Sequence, residues 1–370
     1  MTNPAWRSAY TLFRTHLYRR LRYLHRVLND RMNTELTARG YRGLTDDSIK
    51  VLAYLGVEGT TAATLAREHG VPRQTMSRMV NQACDAGYLR KAPDPEDTRA
   101  FRLLATTSGI AMIRDAFDIG VTIEAELAKR IGTADYRELT TLTDAVFRHM
   151  GLVYPRSAQH VTAARTSPPR LQIQLHAICT RARLQIAERS FDVDARDLAD
   201  SHWNLLEQIP EDGTRAADLA QATDLSKQRV SAVVKQLVGW ELLHSEPDPA
   251  DRRVNRLHFT DRARSLIAHR MADTRVLLTE LRLAIGTEPM DRLELHAGRL
   301  FQLLGGVTPA PLPHGDDAVD ALVGDWLALL HALAHEHPTL DTSTLFDEAG
   351  NFRPRLFEAL LRRAAARPKD

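Results

Sequence analysis

Gln74, Ser77, Arg78 and Asn81 stand at i, i+3, i+4 and i+7, a spacing that gathers them on one face of a helix. Met76, Met79, Val80 and Ala83 take the opposite face at the same spacing and read as core. The polar face is short, mildly basic and free of large apolar groups. It can offer hydrogen bonds to base edges and phosphates in a major groove. Alone, such a face reads sooner as an ordinary solvated surface. A second copy of the pattern comes far downstream. Val230, Val233, Val234 and Leu237 face inward, and Gln228, Ser231, Ala232 and Lys235 face outward.

The segment after each helix favours the nucleic-acid reading. The stretch YLRKAPDPEDTRAFRLLAT reads as strand, charged turn, strand, with Arg99 and Arg102 leading into the second strand. Its copy is HSEPDPADRRVNRLHFT, with Asp251, Arg252, Arg253 and Arg256. A hairpin after a helix-turn-helix is a wing, which can lay Arg on the DNA backbone or into the minor groove. An Asp beside the Arg can grip the guanidinium with two hydrogen bonds and fix its aim. A bare surface turn with ion pairs would contribute little. The conjunction, found twice, predicts two winged helices.

The elements around these faces are themselves duplicated. The 42 residues from Leu65 and the 42 from Leu219 align without a gap, with 15 identities, at an offset of 154. The offset extends outward: Gly59-Thr60 matches Gly213-Thr214, and Phe147 matches Phe301. A period of this size means a duplicated domain and not a solenoid of short units. The reading is a first repeat over 5–155, a linker over 156–170, a second repeat over 171–309 and a helical C-terminal extension over 310–370. Each repeat should open on a long helix, in the first copy through Leu12, Leu17, Leu21, Leu24 and Leu28. Pro72 and Ser226 suit helix starts, and Gly87 suits a helix stop. The terminal helices of each unit carry more apolar surface than one small winged helix can cover, so the other repeat is the expected partner.

These residues resemble the MarR family of bacterial winged-helix transcription regulators. The strongest stretch is RQTMSRMVNQACDAGYLRKAPDPEDTRAFRLLATTSG. The implied fold is mostly α with small β-wings, an α+β winged helix-turn-helix. Two tandem MarR-like repeats would form an intramolecular pseudo-dimer. The resemblance places Gln74, Thr75, Ser77 and Arg78 at base or phosphate contacts, with Asp97 and Arg99 as the wing pair. In the second repeat the set is Gln228, Arg229, Ser231, Asp251 and Arg253. Arg73, Arg102, Lys227 and Arg252 complete the expected DNA-binding set. The implied function is a sequence-specific double-stranded-DNA-binding regulator, a repressor, with one chain filling the role of a dimer. Further association of two chains stays open. The resemblance also implies a small, commonly aromatic effector between helical base and heads. The alternative is a second repeat that senses a ligand or partner while only the first touches DNA. The second repeat has Ala232 for Arg78, His244-Ser245 for Arg90-Lys91, and Ala263 for Gly109. The first two remove cations; the last is expected to remove a flexible hinge.

Composition sets the outer bounds. The chain has 370 residues, 44% hydrophobic and 26% charged, which excludes a mostly disordered protein. A net charge of +2 makes any nucleic-acid surface local. No apolar run reaches the ~18–20 residues of a membrane span, and no secretory pattern opens the chain, so no membrane partner is expected. Two cysteines, Cys84 and Cys179, give no disulfide framework, and a cytoplasmic location is expected. Cys84 reads as a small core residue, and Cys179 lies about one turn from where some relatives keep a sensing thiol. His331 and His335 are an i, i+4 pair in the tail, without a firm third ligand. Phosphate-loop, dinucleotide, zinc-protease and serine-hydrolase signatures are absent, so neither a cofactor nor an enzyme activity is expected. Residues 1–31 hold seven Arg and one Asp, and the tail is acidic, so either these are solvated faces or the tail packs near the first helix.

Overall fold

The computed structural model describes residues 4–43, 46–69, 71–94, 101–154, 157, 160, 170–189, 198–223, 226–248 and 253–307. Asp97, Arg99, Asp251, Arg252, most of the linker and the whole C-terminal extension with its histidines lie outside them.

The first copy runs α1 (Pro4–Thr15), α2 (Leu17–Ala38), α3 (Asp46–Ala53), β1 (Thr60–Thr61), α4 (Ala62–His69) and α5 (Arg73–Asp85). It continues with β2 (Leu89–Pro93), β3 (Phe101–Ala105), α6 (Thr107–Ile131) and α7 (Thr133–His149). The second runs α8 (Arg170–Arg189), α9 (Asp200–Leu206), β4 (Thr214–Arg215), α10 (Ala216–Thr223), α11 (Lys227–Gly239), β5 (Leu243–Pro247), β6 (Asn255–Phe259), α12 (Asp261–Ile285) and α13 (Thr287–Leu303). From α3 to α7, each element starts again 154 residues later. Each head has a three-stranded antiparallel sheet, ordered β1-β3-β2 and β4-β6-β5. Leu89 pairs with Ala105 and Leu243 with Phe259, the same register in both.

The same local devices build both copies. Thr106 and Thr260 cap α6 and α12, accepting from the N–H of Gly109 and Ala263. Each hydroxyl also donates to the end of the preceding helix, at Gly87 O (2.7 Å) and Glu241 O (2.6 Å). Gly87 has φ 80°, a left-handed turn that glycine adopts freely; its counterpart Glu241 holds φ 58° at a cost of about 1 kcal/mol. Gly109 is not a hinge. A Cβ there would meet the Tyr88 carbonyl oxygen at 2.2 Å, so the glycine lets helix and strand approach closely.

One core joins the copies. It runs from Leu17, Leu24 and Leu28 of α2 through the first head to Leu171 and Leu175 of α8 and Met290, Leu293 and Leu300 of α13. Tyr18 donates to Cys179 O (3.2 Å), Tyr23 to Leu304 O (2.8 Å), and His296 and Arg292 both meet Glu138 (3.0 and 2.6 Å). α2, α7, α8 and α13 thus form a shared helical base. A second core holds the second head.

The long first helix predicted from the leucine spacing is broken. His16 takes an extended backbone (φ −62°, ψ 153°) and its Nδ1 accepts the Arg19 N–H, capping α2. α1 leaves that axis and packs into the second head, where Trp6, Tyr10 and Phe13 are buried. His16 is itself buried, and burial, reinforced by Arg22, Arg19 and Arg270, holds its pKa well below 6.5. The folded ring stays neutral while the unfolded one takes up a proton. Stability is therefore complete above pH 6.5 and falls as the pH drops below it. His16→Asn keeps a capping side chain without the titration, so its urea midpoint should fall less between pH 7 and pH 5 than the parent's.

Candidate nucleic-acid interface

The two recognition helices, α5 and α11, present the expected faces. Met76, Met79, Val80 and Ala83 are buried, as are Val230, Val233 and Leu237, while Val234 is half-buried. Arg73, Gln74, Ser77 and Arg78 are exposed and Thr75 half-buried; Lys227, Gln228, Arg229 and Ser231 are exposed. Ser226 caps α11 through the Arg229 N–H (3.2 Å), whereas Pro72 starts α5 without a side-chain cap. Lys91 of β2 donates to Asn81 of α5 (2.9 Å), tying wing to reading helix in the first head. The second head has Ser245 and Lys235 at these positions. Ala232 is exposed where Arg78 stands, so the second face lacks that cation.

The wings share a buried carboxylate that the sequence reading overlooked. Asp94, 6% exposed, faces Arg102 side-on, with Nε at 3.4 Å and Nη2 at 3.5 Å. Asp248, 1% exposed, takes Arg215 at 2.8 Å and Arg256 at 3.4 Å. Arg102 and Arg256 also donate to the carbonyls of Glu58 and Asp212. Arg102, grouped by sequence with the DNA contacts, therefore holds the base of the wing. The repeated Pro-Asp-Pro in both hairpins was the available signal for Asp94 and Asp248. Arg253 is exposed after the second wing's tip.

Behind the first head lie two clefts. One, of about 120 Å³, sits between α3 and α6 of the head and α2 and α8 of the base. Met32, Leu52, Met112, Ile113 and Phe117 make it largely apolar, and Tyr54, Asn29, His25 and His176 give it a polar edge. His25 Nε2 and His176 Nδ1 are 3.2 Å apart, one from each repeat. Burial, with the charge of Glu68 added, pushes the Tyr54 hydroxyl up to about 12, which keeps it a neutral donor. The second cleft, about 430 Å³, is bounded by Thr75 and Arg78 of α5 and by Arg26 and Arg183 of the base. The histidine pair borders both clefts and forms part of the wall between them. Cys179 is buried, and burial pushes its thiol pKa up, which disfavours redox sensing. Cys84 is half-buried at the core's edge. Among the described residues no group of three metal-ligating side chains converges, and no helix is long and apolar enough to cross a membrane.

The MarR family model matches residues 42–100 and again residues 196–254. A transcriptional regulator from Thermotoga maritima, known from its crystal structure, is similar at 21% identity over 35% of this chain and 90% of its own, with a TM-score of 0.28. No curated protein gives a match.

Proposed function

We propose that this chain, a tandem MarR-family protein, is a double-stranded-DNA-binding transcription regulator, and that it works as a ligand-responsive repressor with both winged-helix heads in one polypeptide. The observation that carries this is the pair of polar recognition faces, one per copy, each backed by a buried stripe and rooted in one shared base. One chain then spans two half-sites, as a homodimer would. The heads differ at Ala232 and at His244-Ser245, so the preferred operator is asymmetric. Genomic binding-site mapping with the purified protein, then footprinting and the mass of the complex, tests this. A perfect palindrome, or two chains on one site, would count against it.

Affinity rests mainly on phosphate contacts. The log of the binding constant should fall with log salt at a slope of about −0.9 per neutralised phosphate. Arg78→Ala should weaken binding by about 1–3 kcal/mol and relax preference at one position of one half-site. Arg253→Ala should weaken binding to all sequences and make the salt slope shallower by about one. Fluorescence anisotropy at several salt concentrations reads both.

The exposed Ala232 supports a second reading, in which the second head has given up DNA contact. Arg229→Ala separates them: no loss of affinity favours the second. The effector site that fits the first reading is the apolar cleft, which admits a small aromatic molecule and touches both base and first head. Such a molecule shifts DNA affinity by favouring one head orientation over another.

A further inference from the structure

The apolar cleft behind the first head has a counterpart behind the second, and the counterpart is full. The shift of 154 residues assigns each wall residue its equivalent. Ala53 corresponds to Glu207, Ala116 to Arg270 and Ile49 to Trp203. Across the seam, Ile173 and His176 correspond to Arg19 and Arg22. The first set borders open space of about 120 Å³. The second set packs on itself. Glu207 meets Arg22 at 3.3 Å and Arg19 at 3.6 Å, and the Arg270 guanidinium lies 4.1 Å from the centre of the Trp203 ring. None of these five side chains is more than 7% exposed. Two alanines in one half stand where two long charged side chains stand in the other, and those two meet the partners that close the space.

We propose that the chain has one small-molecule site, behind the first head, and that its twin is permanently occupied by the Arg19, Arg22, Glu207, Arg270 and Trp203 cluster. This rests on the effector reading of the apolar cleft. One ligand then binds per chain, without cooperativity between sites. The ligand is a compact ring system with a single polar edge, which the His25–His176 pair and Asn29 meet. Apart from the base helices α2 and α8, its contacts fall on α3 and α6 of the first head, so only the first head answers to it. The second head is fastened to the base through the buried cluster and stays in place. A homodimer of identical halves cannot divide sensing from anchoring in this way, since its two sites are equivalent by symmetry.

Calorimetric titration of the full chain with 2-naphthol, a fused ring with one hydroxyl, tests this. The expected result is one equivalent per chain with a Hill coefficient of one. Ala116→Leu, which fills the open site, should weaken 2-naphthol binding at least tenfold. Far-UV circular dichroism of the unliganded variant should match the parent and its urea midpoint should not fall, which together show an intact fold. Arg270→Met, in the filled twin, should leave stoichiometry and affinity unchanged. Two equivalents per chain, or a changed affinity in Arg270→Met, would overturn the one-site assignment while leaving the effector reading in place. Binding that Ala116→Leu does not weaken, or no binding at all, would overturn the effector reading and this inference with it, whatever the stability measurement shows.

Discussion

Glu207→Ala should lower the stability of the folded chain by about 3–5 kcal/mol, the cost of removing one partner from a buried ion pair. Glu207 is 4% exposed and is the carboxylate within ion-pair distance of both Arg19 and Arg22, themselves 4% and 7% exposed. Arg22 also donates to Asn204. Burial, the largest single influence, pulls the Arg22 guanidinium pKa down, and Glu207 together with Asp200, Tyr18 and Cys179 more than offsets it, leaving it raised. Arg19 lies farther from the carboxylate, and there burial prevails. Without Glu207, both guanidiniums stay charged in a dry seam beside Arg270, with the exposed Asp200 as the remaining nearby carboxylate. Urea denaturation followed by circular dichroism measures the loss. Replacing Arg19, Arg22 and Glu207 together by apolar residues of similar volume should recover most of it, because the isolated charge and not the missing attraction is the costly part. A loss under about 1 kcal/mol for Glu207→Ala would mean that water or another anion reaches the cluster.

That cluster marks the limit of what the sequence could tell. The recognition faces were legible because their signal is local. Met76, Met79, Val80 and Ala83 repeat within two turns, and the duplication shows the same stripe again in Val230, Val233 and Leu237. The wings were legible in outline for the same reason, since hairpin and prolines lie side by side in the chain. The sequence reading set the wing carboxylate at Asp97, which lies outside the described residues, and passed over Asp94 three residues earlier in the same turn. Asp94 is 6% exposed at the strand's end, and that cannot be read from its neighbours. The break at His16 was hidden because leucines continue across it at helical spacing. Only the destination of α1, a surface formed some 190 residues later, explains why the helix ends there. The filled cleft was out of reach for the same cause. Arg19 and Arg22 come from the first copy and Glu207, Arg270 and Trp203 from the second, and alignment alone cannot show which of them meet.

Phe13→Ala should destabilise the second head by about 3–5 kcal/mol and leave the first head nearly unchanged. Phe13 is fully buried and stands edge-on to Trp203, with ring centres 6.2 Å apart. Beside it, Tyr10 donates to Ile209 O (2.9 Å) and Trp6 to Glu211 (3.0 Å), and both rings pack against Phe259. The start of the chain therefore completes the core of the head nearest the other end. The truncation removes an aromatic ring that packs on Trp203 within the second head's core, and such a core relaxes only partly around the void. Hydrogen exchange followed by mass spectrometry separates the two cores. Peptides from α9, α11 and α12 should lose protection, while those from α3, α5 and α6 keep theirs. Equal loss in both heads would show that the two cores unfold as one unit. No loss in either would show that α1 is dispensable to the second core. DNA binding by the variant should lose the second half-site first, so its footprint should shorten from that end while the first half-site stays protected.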